Sequence, residues 1–525
     1  MLLRAVGSAG IVGTRGGRAS IPAHPNDRRD AALKMRMDAA ATQAGESALP
    51  QLSNGDEVAL PAWTACFTKG LPTAQTGEVE PGAYESLLRA IESGKHADFE
   101  AIARGSGRRL VNPQAAYAYC LEGGDPHRFG CAPAPAFASP EMAAEMTEMY
   151  WLALARDIPF RDYSTSAITM RAAEELKTSA RSLFRGPTAG DLEGPYVSQF
   201  LVRPVPSGST AVEQRYRTPL PGIDFMTTYG EWLQIQSGVP PWREYTWDPT
   251  PRYIRNGRDL AEWFHYDYLY QVFLNAALIL MNYRPESVLF ETRSVLSEMN
   301  PYKHSKVQDG FVTFGLAQAV DWLGRVTTAA LKAAWVQKWL VHRRLRPEAF
   351  AGRVHQARSG GITYPVHADL LNSAAVEETF RRHGSYLLPQ AYPEGSPLHP
   401  SYPGGHATVA GACSIVLKAL FDESVLMPDC VHAAVDGLSL EPCPPGFVPT
   451  IGAEVNKLVW NVAMGRSWAG IHCRSDSAAG VPLGEDVAIS ILQDLVRTCT
   501  EDFEGFAFTR LDGSKVRINR SGEVS

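Results

Sequence analysis

The chain has 525 residues, 45% of them hydrophobic and 20% charged, a balance ordinary for a globular protein and unlike that of a disordered chain. Fifty basic against 56 acidic residues leave a formal net charge of −6, which argues against nucleic acid or an anionic membrane surface as a general partner. The longest apolar stretches, such as Val272–Met281, fall short of the roughly 18 residues that would indicate a membrane span. From Met1 to Ala62 there is no aromatic residue, while Gly, Ala, Ser and Arg are frequent. Residues 1–58 therefore read as a flexible arm or processed segment that contributes little to a core. The first twenty residues carry three arginines and no acid, as transit peptides do, although Gly and Ser interrupt the apolar stretch.

Residues 59–525 read as a single large helical domain. Helical periodicity is strongest over Leu260–Tyr283, Val312–Leu345, Ala407–Phe421 and Val487–Thr498. Strand signals are few; in the C-terminal "FAFTRLDGSKVRINR", Asp512-Gly513 between alternating residues predicts a small hairpin. The expected fold class is mainly α, helical bundles with Pro/Gly-rich connections and that minor β-hairpin. Eight cysteines are too sparse for a disulfide scaffold. Cys120 with Cys131 and Cys430 with Cys443 could each close a short loop, whereas Cys413 and Cys473 read as buried thiols. No Cys/His spacing resembles a zinc site.

Three motifs within 330–480 carry the chemistry. In "KWLVHRRLRPE", Lys338 lies on a helix face, and Pro347 drives Arg346 out of helical geometry, free to fold back toward Lys338. Alone, this cluster also fits a solvated basic helix end. In "HPSYPGGHAT", Gly404 and Gly405 open a helix and offer bare N–H groups to an anion, with His406 beside them to move a proton. In "GRSWAGIHCRSD", Gly470 permits a break that aims Arg466 and His472 the same way. Asp476, one helical turn after His472, can take that imidazole's other N–H and hold its tautomer. Three cations, backbone donors and two histidines make a pocket for a compact, multiply charged oxyanion.

In order and spacing these motifs resemble the vanadium-dependent haloperoxidases, of the superfamily that also contains acid and lipid phosphatases. The interval of eight positions from Lys338 to Arg346 resembles the algal bromoperoxidase type. So do "GPYVSQF" at Gly194–Phe200, "ALKAAWVQKWLVHRRLRPEAFAGRVH" at Ala330–His355 and "PLHPSYPGGHATVAGAC" at Pro397–Cys413.

The resemblance implies vanadate as cofactor, with His472 as its one protein ligand to vanadium. It implies that Lys338, Arg346, Arg466 and the N–H of Gly405 hold the oxygens, and that His406 is the acid/base partner. Trp335 and His399 match positions at the active-site mouth and are carried as halide or gate residues. The implied activity is oxidation of bromide or iodide by hydrogen peroxide to a hypohalous acid equivalent, which halogenates a small organic acceptor. The implied assembly is a homo-oligomer, and a structural divalent cation is allowed by analogy. Chemistry that makes hypohalite suits an extracellular or organellar space better than the cytosol. One departure concerns Gly404: the family pattern usually reads Pro-Ser-Gly-His, and here Pro403-Gly404-Gly405-His406 lacks the serine hydroxyl. Weaker vanadate retention and a changed halide preference are expected. The rival readings are an acid phosphatase using the same pocket, and a catalytically silent oxyanion-binding oligomer.

Overall fold

The computed structural model describes residues 24–282 and 295–525, which fall into two units, Met1–Glu46 and Ser47–Ser525. In the first, helix α1 (Pro25–Gly45) starts at a proline behind His24, whose Nδ1 accepts from the Asn26 N–H, and it buries none of its side chains. The expected arm is thus helical over this stretch, and the leader-like first twenty residues lie outside the described ones. The larger unit begins before residue 59. Leu49 N–H donates to Arg128 O at 2.8 Å, and Glu57 pairs with Arg343 while accepting from Tyr84 at 2.6 Å.

The larger unit is helical, as expected. Its main helices are α2 (Pro81–Ser93), α3 (Pro140–Ala155), α4 (Gly257–Trp263), α5 (Gln271–Met281), α6 (Leu316–Trp335), α7 (Pro347–Arg358), α8 (Gly405–Leu420), α9 (Ile451–Trp468) and α10 (Arg474–Leu495). Sheet among the described residues is confined to three antiparallel hairpins, β1 (Val205–Ser207) with β2 (Thr210–Val212), β3 (Val431–Ala433) with β4 (Leu440–Pro442), and β5 (Gly505–Thr509) with β6 (Lys515–Asn519). The last pair is the hairpin expected around Asp512-Gly513. Phe506, Phe508, Val516 and Ile518 alternate inward along it and are buried, as period-2 side chains should be.

Helix α8 is the axis of the core, with every residue except His406 buried. It crosses α10 where neither helix carries a side chain: a Cβ on Gly484 would sit 1.8 Å from Thr408 O, and one on Gly411 2.2 Å from Val481 O. Only glycine permits that approach. It brings the N-terminal ends of both helices together, so that Gly404 N–H donates to Asp476 O at 2.7 Å.

Two periodic segments end differently from the sequence expectation. Leu260–Tyr283 is not one helix: the chain leaves helical geometry between α4 and α5, and Tyr283 lies outside the described residues. Val312–Leu345 is α6 followed by a wider π-turn over Val336–His342, closed by Arg343 at φ +40° with its N–H on Lys338 O at 3.0 Å. The Cys430–Cys443 disulfide forms. The Cys120–Cys131 pair does not, because the Cys131 thiol turns to His342 Nε2, 3.5 Å away. Cys413 and Cys473 are buried thiols. Among the described residues no helix is long and apolar enough to cross a membrane, and no cluster of three or more His, Cys, Asp or Glu could hold a metal ion.

Candidate active site

The π-turn after α6 delivers Lys338, the exit before Pro347 delivers Arg346, the last turn of α9 delivers Arg466, and the break at Gly470 (φ +91°) delivers His472. All four are buried and face one another. Lys338 Nζ donates to Pro400 O at 2.8 Å and Ser401 O at 2.7 Å. Arg346 donates through Nε to His399 O at 2.9 Å, through Nη1 to Ile471 O at 3.0 Å, and through the same nitrogen to His472 Nε2 at 2.9 Å. Arg466 Nη1 donates to Phe264 O, while its buried Nε has no hydrogen-bond partner.

None of the three cations has a carboxylate within ion-pair distance among the described residues; their oxygens are backbone carbonyls and, for Arg466, also the Tyr392 hydroxyl at 3.4 Å. Burial first, and then the neighbouring Arg346 guanidinium, push the Lys338 ammonium far below its usual range. Burial likewise lowers Arg346, with Asp476 and Glu348 opposing and Arg466 adding to it. Such a cluster is short of negative charge, and a desolvated anion satisfies it.

His472 is prepared as a neutral imidazole. Its Nδ1–H donates to Asp476 Oδ2 at 2.8 Å, leaving the Nε2 lone pair toward the cations. Burial and Arg346 drive its pKa well down, so it stays unprotonated. Asp476 is held in turn by Arg344 at 2.9 Å, the Ser401 hydroxyl and the Cys473 N–H. Burial opposes its charge, yet Arg344 and His472 keep the carboxyl well below the usual range.

His406, the first-turn residue of α8, places Nε2 3.0 Å from Asp267 Oδ1, leaving Nδ1 free of that bond. Burial and Arg466 lower its pKa, with Asp267 opposing. Gly404 has its N–H committed to Asp476 O, so the first uncommitted position of the helix N-terminus is Gly405, with Trp335, Leu331 and Lys338 Cε closest to a Cβ there. Trp335 fixes its indole N–H on Val111 O and Asn112 O at 3.3 and 3.1 Å and lays its ring 4.9 Å from that of His399. His399 also receives Arg346 Nη2 at 2.9 Å.

The site residues singled out in the sequence are thus joined by contacts: Trp335 to His399, His399 to Arg346, Arg346 to His472, His472 to Asp476, Asp476 to Gly404, and Lys338 beside Gly405. Sequence reasoning missed Asp267, the Phe264 carbonyl, Ser401 and Arg344. Asp267 stood inside a segment read as continuous helix. Arg344 was one of several basic residues in a single motif, and only the backbone turn at Arg343 sends Arg343 to Glu57 and Arg344 to Asp476.

Comparison with known proteins gives the family. The family described as the VCPO second helical-bundle domain matches residues 325–501. A vanadium-dependent bromoperoxidase of Ascophyllum nodosum is 34% identical over 96% of this chain and 95% of its own length. The chain belongs to the vanadium-dependent haloperoxidases. A vanadium-dependent bromoperoxidase of Corallina officinalis is 31% identical over 94% of this chain and 98% of its own. Among solved structures, the homohexameric second vanadate-dependent bromoperoxidase (AnII) of Ascophyllum nodosum superposes with a TM-score of 0.89 at 30% identity, covering 98% of this chain and 94% of that one. Family membership brings vanadate as cofactor, and the donor set fits it: cations without carboxylates, an unpartnered buried Arg466 Nε and a neutral imidazole whose Nε2 lone pair is turned toward the cations, where it accepts from Arg346.

Proposed function

We propose that this haloperoxidase oxidises bromide and iodide with hydrogen peroxide, on a vanadate ligated by His472 Nε2. For bromide the balance is bromide, peroxide and a proton going to hypobromous acid and water. The observation carrying this reading is the His472 geometry: Nδ1 locked by Asp476 and Nε2 presented to three cations that no carboxylate neutralises. When bound, vanadate supplies a Lewis-acidic centre that makes peroxide a stronger oxidant toward halide.

Lys338, Arg346 and Arg466, with the Gly405 N–H at the head of α8, hold the oxyanion's charge in a site from which water is largely excluded. Lys338 has the further role of polarising peroxide. His406 moves the proton at Nδ1, its orientation fixed by Asp267 at Nε2. Trp335 and His399 form the halide side of the pocket, with the indole ring rather than its tethered N–H facing His399. The chain also associates with copies of itself, a reading supported by the homohexameric relative. The Cys430–Cys443 disulfide fits an oxidising, extracellular or organellar compartment.

The test is to strip the protein of vanadium, add orthovanadate, and follow peroxide-dependent halogenation of a phenolic dye with chloride, bromide and iodide in turn. Turnover is expected with bromide and iodide, and His472→Ala abolishes it. Undiminished turnover in that variant overturns the ligand assignment. Phosphate ester hydrolysis without halide oxidation would favour the phosphatase instead.

A further inference from the structure

The short segment between α4 and α5 has two sides. One faces the catalytic pocket, where Phe264 O receives Arg466 and Asp267 receives His406. The other is the wall of an open cleft of about 590 Å³ lined by Tyr216, Arg217, Trp247, Trp263, Tyr266 and Asp267. That volume is in the range of small-molecule sites. Four of those residues are aromatic, with Tyr216 and Trp263 packed edge-on at 5.5 Å and Tyr266 70% exposed. One exposed ring, Tyr266, beside the half-buried rings of Tyr216 and Trp247 offers stacking surface to a flat ligand, with Trp263 buried behind them.

The charges in the cleft are unevenly committed. Asp267 is engaged by His406 at 3.0 Å, and Glu262, also in the wall, faces His265 at 3.6 Å. Arg217 has no carboxylate partner among the described residues; its guanidinium carbon lies over the Trp247 ring, 3.8 Å from the centroid. A guanidinium stacked on an indole keeps its edge donors free, and those donors suit a carboxylate or sulfonate bidentately.

We propose that this cleft binds the organic acceptor, and that the acceptor is an anionic phenol, its ring against the aromatic wall and its acid group on Arg217. The inference rests on the haloperoxidase reading of the neighbouring pocket, which supplies the oxidant. Hypobromous acid gives up bromine as an electrophile, a C–Br bond forms as the ring C–H breaks, and the ring proton joins the released hydroxide as water. A phenol held on the other side of that segment is concentrated close to the pocket that makes hypobromous acid.

The experiment uses the full-length protein with 4-hydroxybenzoate, phenol and the cationic tyramine. Without vanadate or peroxide, 4-hydroxybenzoate is expected to quench tryptophan fluorescence saturably, with affinity about tenfold above that of tyramine, the worth of one charge-assisted pair. Arg217→Glu reverses the order, and Trp247→Ala weakens binding of all three. In competitive bromination by the reconstituted enzyme, the product ratio of 4-hydroxybenzoate to tyramine exceeds that made by reagent hypobromous acid, and the excess disappears in Arg217→Glu. A ratio equal to the reagent's, or absence of saturable quenching, or preference for tyramine overturns the proposal. A protein that binds 4-hydroxybenzoate through Arg217 yet oxidises no halide upholds the cleft and sinks the reading of its neighbour.

Discussion

Two clusters of buried charge lie close in sequence and behave oppositely. Around Glu348, one residue into α7, the Lys69 ammonium meets the carboxylate directly and also donates to Glu394 O at 2.7 Å and Ser396 O at 2.8 Å; Gln236 adds a bond to the same carboxylate at 3.1 Å. Around Arg346, two residues earlier, three cations meet carbonyls, the imidazoles of His472 and His399 and the Tyr392 hydroxyl, and no carboxylate among the described residues lies within ion-pair distance. Burial lowers Lys69 to about 8, with Glu348 opposing, while burial and then the Arg346 guanidinium lower Lys338, which has no carboxylate within ion-pair distance among the described residues. The first cluster is internally neutralised and serves the fold. The second holds like charges together without a counter-charge, a state that costs stability and is relieved by an anion.

The strongest way to break this comparison is Glu348→Ala, which turns the neutralised cluster into an uncompensated one. It is expected to destabilise the apoprotein by about 3–5 kcal/mol in denaturant unfolding. A loss below about 1 kcal/mol would erase the distinction. A pH titration probes the other side. Burial, and then Arg344, Arg343 and Lys338, lower His342 to about 4. Because the folded value lies below the unfolded one near 6.5, there is no effect above that pH. Stability is then lost as pH falls from about 6.5 to about 4, by on the order of 3 kcal/mol. His342→Gln should flatten the unfolding free energy across that window.

Lys338→Met sharpens the contrast within the cationic cluster. Orthovanadate affinity should fall about 10–100-fold, the worth of one hydrogen bond to an ion. Apoprotein stability should move by no more than about 1 kcal/mol, since two carbonyl bonds are lost as a desolvated charge is removed. The smallest effect concerns Gly404. A Cβ there would stand 3.3 Å from Asp476 O and 3.5 Å from Ala407 Cβ, so serine fits with a shift of a few tenths of an ångström. Gly404→Ser is expected to tighten vanadate about fivefold, or roughly 1 kcal/mol, and to change the bromide-to-iodide rate ratio. Equilibrium dialysis and paired assays check both, and two unchanged values would mean the missing hydroxyl is immaterial.

Helical periodicity was legible because α6 and α8 are amphipathic or apolar over whole turns, and the β5–β6 turn because Asp512-Gly513 names its own conformation. The break between α4 and α5 was not. No Gly or Pro marks the stretch from Phe264 to Tyr270, and what ends the helix is remote: Arg466 on the Phe264 carbonyl and His406 on Asp267. Cys131 was misread for the same reason, since its neighbour His342 lies 211 positions along the chain.

The amino-acid sequence by itself determined the chemistry available to this protein: cations, histidines and bare glycines at intervals that a helix exit, a helix start and a glycine break can each aim. The tertiary structure alone decided which of those groups lack a counter-charge. Pairing is a matter of distance between segments, so Arg344 finds Asp476 and Lys69 finds Glu348, while Lys338, Arg346 and Arg466 are left to share whatever anion enters.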